Sequence, residues 1–198
     1  MSLRRIRILG IAALIALSAA GARAGAPSGL ADVRARIDRI VALLQAPGLT
    51  DAARRRAVLA EAEPAFDWRE MARSALGPTW RERTEAERAE FTRLFQALVE
   101  HAYLTRVLQY HGERVVYGRE TVHHDDALLA TQSVRPGRAP IAVDYELLRE
   151  GQGWLISDVL IEHVGLVDNY RSQFAAILSR SSYPQLIARM RERIAARA

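Results

Sequence analysis

The run Ile141-Ala142-Val143-Asp144-Tyr145-Glu146-Leu147-Leu148-Arg149-Glu150, the turn Gly151-Gln152-Gly153 and the run Trp154-Leu155-Ile156-Ser157-Asp158-Val159-Leu160-Ile161 decide the fold. Ile141, Val143, Tyr145 and Leu147 recur at every second position, the period of a half-buried strand. Two such runs joined by a short glycine turn make an antiparallel hairpin. The same period extends upstream through Val115/Tyr117 and Leu128/Ala130/Gln132, punctuated by His124-Asp125-Asp126 and Pro136-Gly137-Arg138. Four strands joined by short turns predict an antiparallel meander.

Outside this block the period is helical. Leu30, Val33, Ile37, Ile40, Val41 and Leu44 form a stripe that stops at Pro47-Gly48. A second helix starts at Thr50 or Asp51 and ends near Glu63-Pro64, and a third runs from Phe66 to Leu76 with Asp67 as N-cap and Gly77-Pro78 as terminator. Thr84-Glu85-Ala86-Glu87 fits a capping box that opens a helix reaching Tyr110. Its apolar residues Phe91, Leu94, Phe95, Leu98, Ala102, Leu104, Val107 and Leu108 cover more than one narrow stripe, so it should meet apolar material over much of its circumference. Helical spacing returns at Leu166, Tyr170, Phe174, Ile177 and Leu178, and again at Leu186, Ile187, Met190 and Ile194. The expectation is an α+β fold in which a curved four-stranded antiparallel sheet packs against several helices, with residues 25–198 as a single domain.

Composition supports a packed core: 198 residues, 49% hydrophobic and 26% charged. There is no Cys, which excludes disulfides, Cys-ligated metal and thiol nucleophiles. The net charge of +5 suggests nucleic acid until the charges are located. All 28 basic residues are Arg, and Arg4, Arg5, Arg7 and Arg23 lie in the first 24 residues, which carry no acid. The remaining chain is nearly neutral and has no footprint for nucleic acid. Residues 1–24 read as a secretory signal peptide: a basic start, an apolar stretch from Ile8 to Ala20, and Ala22-Arg23-Ala24 before a cleavage point near Ala24-Gly25. No second long apolar run follows, so the mature chain is expected outside the cytoplasm, in the periplasm of a Gram-negative cell.

Phosphate loops, nucleophile elbows and metalloprotease motifs are absent. His123-His124 beside Asp125-Asp126 resembles a metal cluster, but adjacent strand residues point to opposite faces, so a turn is expected and no metal or cofactor. Asp144, Asp158, Glu162 and His163 are candidates for an acid–base pair if a cone-shaped sheet aims them inward; strand-edge and cap contacts are the preferred reading of the same residues. Asp67, Arg69 and Arg73 read as a helix start and a solvated face. The apolar inventory fits either a filled core or walls around an apolar ligand, and sequence periodicity does not separate the two.

Several blocks add a family likeness. Phe66-Asp67-Trp68-Arg69-Glu70-Met71-Ala72-Arg73-Ser74-Ala75-Leu76-Gly77-Pro78-Thr79-Trp80, Arg88 to Phe95, Val143-Asp144-Tyr145, Trp154 to Val159, and above all Asn169-Tyr170-Arg171-Ser172-Gln173-Phe174 resemble the MlaC, or toluene-tolerance auxiliary, family. The resemblance implies an NTF2-like sheet with added helices and an apolar cavity. It also implies a periplasmic phospholipid carrier, not an enzyme, shuttling lipid between an outer-membrane lipoprotein–porin complex and an inner-membrane ABC transporter with MCE domains. The chain departs from the family at Glu162-His163-Val164-Gly165-Leu166, where members typically read Glu-Gly-Val-Ser-Leu. A related branch associated with hopanoids shares much of the pattern, and an NTF2-like enzyme acting on an apolar substrate through Asp144, Asp158 or His163 is the competing class.

A carrier needs a cavity of roughly 1,000 Å³ walled by apolar side chains, with the head group left in water. The candidate lipid-binding residues are Phe91, Phe95, Leu98, Leu104 and Leu108 on the long helix, Val143, Tyr145, Trp154 and Ile156 on strands, and Tyr170, Phe174 and Leu178 beyond them. Arg171 is expected to pair with a carboxylate or to reach a lipid phosphate.

Overall fold

A computed structural model describes residues 30–108 and 112–196, without the side chains of residues 104–106. The signal-peptide reading of residues 1–24 and the helix end at Tyr110 lie outside the described residues. The helices are α1 (Leu30–Gln45), α2 (Asp51–Ala62), α3 (Trp68–Leu76), α4 (Glu85–Leu108), α5 (Leu166–Leu178) and α6 (Tyr183–Ala195), with short 3-10 turns at Glu63–Ala65 and Gly77–Glu82. The strands are β1 (Arg114–His123), β2 (Asp126–Val134), β3 (Ile141–Glu150), β4 (Gly153–Ile161) and β5 (Val164–Gly165).

Local chemistry sets the helix starts. The Thr50 hydroxyl accepts from the Ala53 N–H at 3.2 Å, and the Asp67 carboxylate from the Glu70 N–H at 2.8 Å. Thr84 and Glu87 close the expected capping box, with backbone-to-side-chain bonds of 2.7 and 3.3 Å. Phe66 is not helical as expected. It bridges in parallel to Ile156, and the Asp67 N–H donates to the Ile156 carbonyl at 2.9 Å, which ties the start of α3 to β4.

The sheet is a meander of neighbouring antiparallel strands in the order β1-β2-β3-β4-β5. Five strands form instead of four, because Val164 and Gly165 fold back on Ile161 and Leu160. The reversal needs left-handed backbone at Glu162 (φ 50°) and His163 (φ 65°). Neither is Gly, and Glu162 holds the turn: its N–H donates to the Ala142 carbonyl at 3.0 Å while its carboxylate accepts from the Ala142 N–H at 2.6 Å.

On β2 the buried side chains are Ala127, Leu129 and Thr131, not the Leu128/Ala130/Gln132 set expected to alternate. Leu128 and Leu129 are adjacent, so their own strand leaves the parity open. The pairings Leu129↔Tyr145 and Ala127↔Leu147 settle it. Bulges between Tyr117 and Glu120 on β1, and opposite Glu146/Leu147 on β4, curve the sheet. The second also shifts parity, so Trp154 and Ile156 before it and Val159 and Ile161 after it all face the helices.

Two apolar clusters result. One joins α3, α4, α5 and α6 around Met71, Phe91, Phe95, Tyr170, Phe174 and Leu186. The other packs Leu30, Val33 and Ile37 of α1 against Leu129, Leu147, Trp154 and Ile156 of the sheet. Among the described residues no helix is long and apolar enough to cross a membrane.

Candidate functional site

Between the two clusters lies an apolar cavity of about 470 Å³. α1 walls it with Val33, Ile37, Ile40, Val41 and Leu44, and α2 with Val58, Leu59 and Ala62. The turn into α3 contributes Phe66 and Trp68, whose rings stack at 4.9 Å. α4 contributes Val99, Tyr103 and Val107, while the concave sheet face supplies Val115, Val143, Tyr145, Ile156, Val159 and Ile161. The rim is marked by its exposed members, Val107 at 40% and Ile141 at 48% exposure. Val164, 63% exposed and paired directly with Ile161, extends that rim.

The polar groups in the wall are mostly engaged by protein. Arg36 donates to the Glu61 carbonyl at 3.1 Å and lies 3.3 Å from its carboxylate, which also accepts from Arg39 at 2.9 Å. Glu100 accepts from the Gln96 amide at 2.9 Å, and Glu113 lies 3.7 Å from Arg135. The Thr131 hydroxyl donates to the Val143 carbonyl at 2.5 Å. Burial pushes the Tyr145 phenol up to about 12, and the neighbouring Asp144 adds to the shift. The Tyr117 hydroxyl bonds Asp38 at 2.7 Å and the Arg34 carbonyl at 3.1 Å, fastening α1 to β1.

Of the candidate lipid-binding residues, the cavity brings together Val143, Tyr145 and Ile156. Phe91, Phe95, Tyr170 and Phe174 are elsewhere, in an aromatic cluster with ring centroids 5.3 to 6.3 Å apart, and Leu98 is buried with them. Leu178 packs half-buried against that cluster, Trp154 belongs to the sheet cluster under the Arg149 guanidinium, and Leu108 is half-buried outside the cavity lining. The Leu104 side chain lies outside the description. These aromatics fill their own space, so the cavity is about 470 Å³ and not the roughly 1,000 Å³ expected. The wall residues outside that candidate set lie on α1 and α2, in the turn into α3, on the Val99 to Val107 face of α4 and over the rest of the sheet face; on α1 their signal was the long stripe from Val33 to Leu44, which continues past what the core cluster needs.

The acid–base candidates face other tasks. Asp144 accepts from the Thr131 N–H at 3.2 Å, with the exposed His163 ring at 3.8 Å. Asp158 accepts from the Val159 and Val167 N–H groups at 2.7 and 3.0 Å, so it caps α5. A Cβ on Gly165 would stand 2.7 Å from that carboxylate, which explains a residue without a side chain there. None of Asp144, Asp158, Glu162 and His163 is in the described cavity wall. Arg171 is structural: it pairs with Asp168 at 2.9 Å and donates to the Ser74 carbonyl at 2.8 Å, joining α5 to α3.

A curved sheet and three helices around an aliphatic hollow define an α+β protein with an apolar cavity. The family model described as MlaC protein matches residues 34–192, and the chain belongs to the MlaC family. The solved structure of a phospholipid-binding protein from Ralstonia solanacearum, in complex with a phospholipid, matches with a TM-score of 0.75 at 23% identity, covering 85% of this chain and 98% of that one. That likeness establishes the shared fold. No curated protein matches.

Proposed function

We infer that this protein is a periplasmic phospholipid carrier. It holds acyl chains in the cavity between α1, α2, α4 and the sheet and leaves the head group at the Val107/Ile141 rim. The single observation that carries the reading is an aliphatic hollow in a chain of the MlaC family. The phospholipid held by the Ralstonia protein supports the choice of ligand.

The energetics suit a carrier. Two acyl chains of about 30 methylenes together cost on the order of 24 kcal/mol to expose to water, so free lipid does not diffuse between membranes at useful rates. A bilayer already shelters those chains. The cavity must therefore match hydrocarbon closely enough that loading and unloading are nearly isoenergetic, which aliphatic walls provide without a tight polar grip. Lipid passes, on this reading, between an outer-membrane lipoprotein–porin complex and an inner-membrane MCE-domain ABC transporter, and no bond is made or broken. The signal-peptide pattern of residues 1–24 supports the periplasmic location.

Val143 is half-buried on the cavity wall, opposite Ile161. Val143→Trp fills ligand space, so lipid recovered with the purified protein should drop by at least about ten-fold while the thermal midpoint stays within a few degrees. Full lipid occupancy in a folded Val143→Trp protein contradicts the assignment.

A further inference from the structure

The polar groups of the cavity wall divide into those the protein already satisfies and those it does not. Arg36, Glu100 and Thr131 are held by Glu61, Gln96 and the Val143 carbonyl. Beside the exposed Glu63 carboxylate, three hydroxyls remain: Tyr103 on α4, Tyr145 on β3 and Ser133 near the end of β2 line the cavity and have no hydrogen-bond partner among the described residues. They stand on both walls. Tyr103 is one helical turn, about 6 Å, from the rim residue Val107. Ser133 pairs across the sheet with the rim residue Ile141, and Tyr145 lies further along the same strand as Ile141.

An open cavity lets water satisfy these hydroxyls. Hydrocarbon expels that water, and a hydroxyl stripped of its partner opposes binding unless the ligand brings an acceptor. The cavity thus accepts a ligand whose apolar body carries good acceptor oxygens between the rim and the level of Tyr145, four residues in from Ile141 on β3. A carboxylic-ester carbonyl is such an acceptor and is neutral, as the wall requires. A ring hydrocarbon brings none there, and an ether oxygen is a weaker acceptor than a carbonyl.

We propose that Tyr103, Tyr145 and Ser133 donate hydrogen bonds to the ester oxygens of a diacyl lipid, and so select ester-linked acyl lipids over ether-linked lipids and ring hydrocarbons. The inference rests on the carrier reading given above and narrows its ligand to a chemical class.

The test offers the purified protein vesicles containing equal amounts of ester-linked and ether-linked phosphatidylethanolamine with the same chains and head group, and counts the protein-bound lipid by native mass spectrometry. The wild-type protein should favour the ester lipid by about three- to ten-fold, the gain from one or two neutral hydrogen bonds. Tyr103→Phe with Tyr145→Phe keeps both rings and removes two of the three donors, so the ratio should fall toward one, leaving only what Ser133 contributes; each single change should lower it about two- to three-fold. Uptake of the ether lipid reports that a variant is folded and loadable; a double variant that takes up neither lipid is read through the two single ones. A wild-type ratio of one, or a ratio that the Phe variants leave in place, overturns the proposal while the carrier reading stands. Uptake of neither lipid by the wild-type protein overturns the carrier reading and the proposal with it.

Discussion

Asp158 shows how one side chain can hold a junction together. It is 8% exposed, its carboxylate accepts from the Val159 N–H on β4 and from the Val167 N–H at the start of α5, and Gly165 leaves room for it. Burial raises its pKa above the ordinary 3.8, and the bonds from Val167 and Val159 oppose that shift without cancelling it. The folded protein therefore holds this proton more tightly than the unfolded chain does, and the group's contribution to stability declines as pH rises from 3.8 through the folded value. Asp158→Asn carries no charge to bury. The stability gap between variant and wild type should move in the variant's favour as pH rises from acid to neutral, read from urea midpoints across that range. A gap that moves the other way, or not at all, contradicts the assignment. Two-residue spacing alone puts Asp158 in phase with Trp154 and Ile156. A one-residue bulge, unmarked by any Gly or Pro, instead gives the positions facing the cavity to Val159 and Ile161.

The decisive element is the α1–α2 hairpin, which forms one wall of the cavity. Its two helices are stapled by Arg36 and Arg39 to Glu61, and its corner is pinned by Arg54, whose guanidinium donates to the carbonyls of Leu43, Leu44 and Ala46 at 2.9, 2.5 and 3.1 Å. Arg54→Ala leaves the last turn of α1 without those donors. It should destabilise the corner by about 1–2 kcal/mol and speed amide exchange in α1 and α2 more than in α3 or the sheet. Uniform exchange across the molecule contradicts an independent role for the hairpin. The helices themselves were legible, because capping residues and Pro-Gly stops lie at their ends. The division of α4 was not: Phe91, Phe95 and Leu98 lie wholly in the packed cluster, Val99 and Tyr103 touch both that cluster and the hollow, and Val107 faces the hollow. A broad apolar face in sequence records burial on both sides without saying which side is solid.

At the scale of the whole molecule, two small cores lie either side of an unfilled space. The meander was legible from its two-residue period and glycine turns, as was the α+β class. The fifth strand was not, since the two residues that reverse the chain, Glu162 and His163, carry neither the Gly nor the Asn that marks such a turn in sequence. The location of the hollow was legible only on the sheet, through Val143, Tyr145 and Ile156. The large aromatics drew attention because lipid sites and cores use the same side chains. Ring pairs such as Phe91–Phe174 and Phe95–Tyr170 stack edge to face at 5.5 and 5.3 Å, a geometry that excludes ligand from between them.

On the carrier reading, the space between these cores belongs to a phospholipid. Native mass spectrometry of the wild-type protein, purified gently from a bacterial host, tests it most directly. A mass increment of about one phospholipid per chain is expected, lost on denaturation and identified as diacyl phospholipid on extraction; a spectrum showing only the bare chain rules the carrier out.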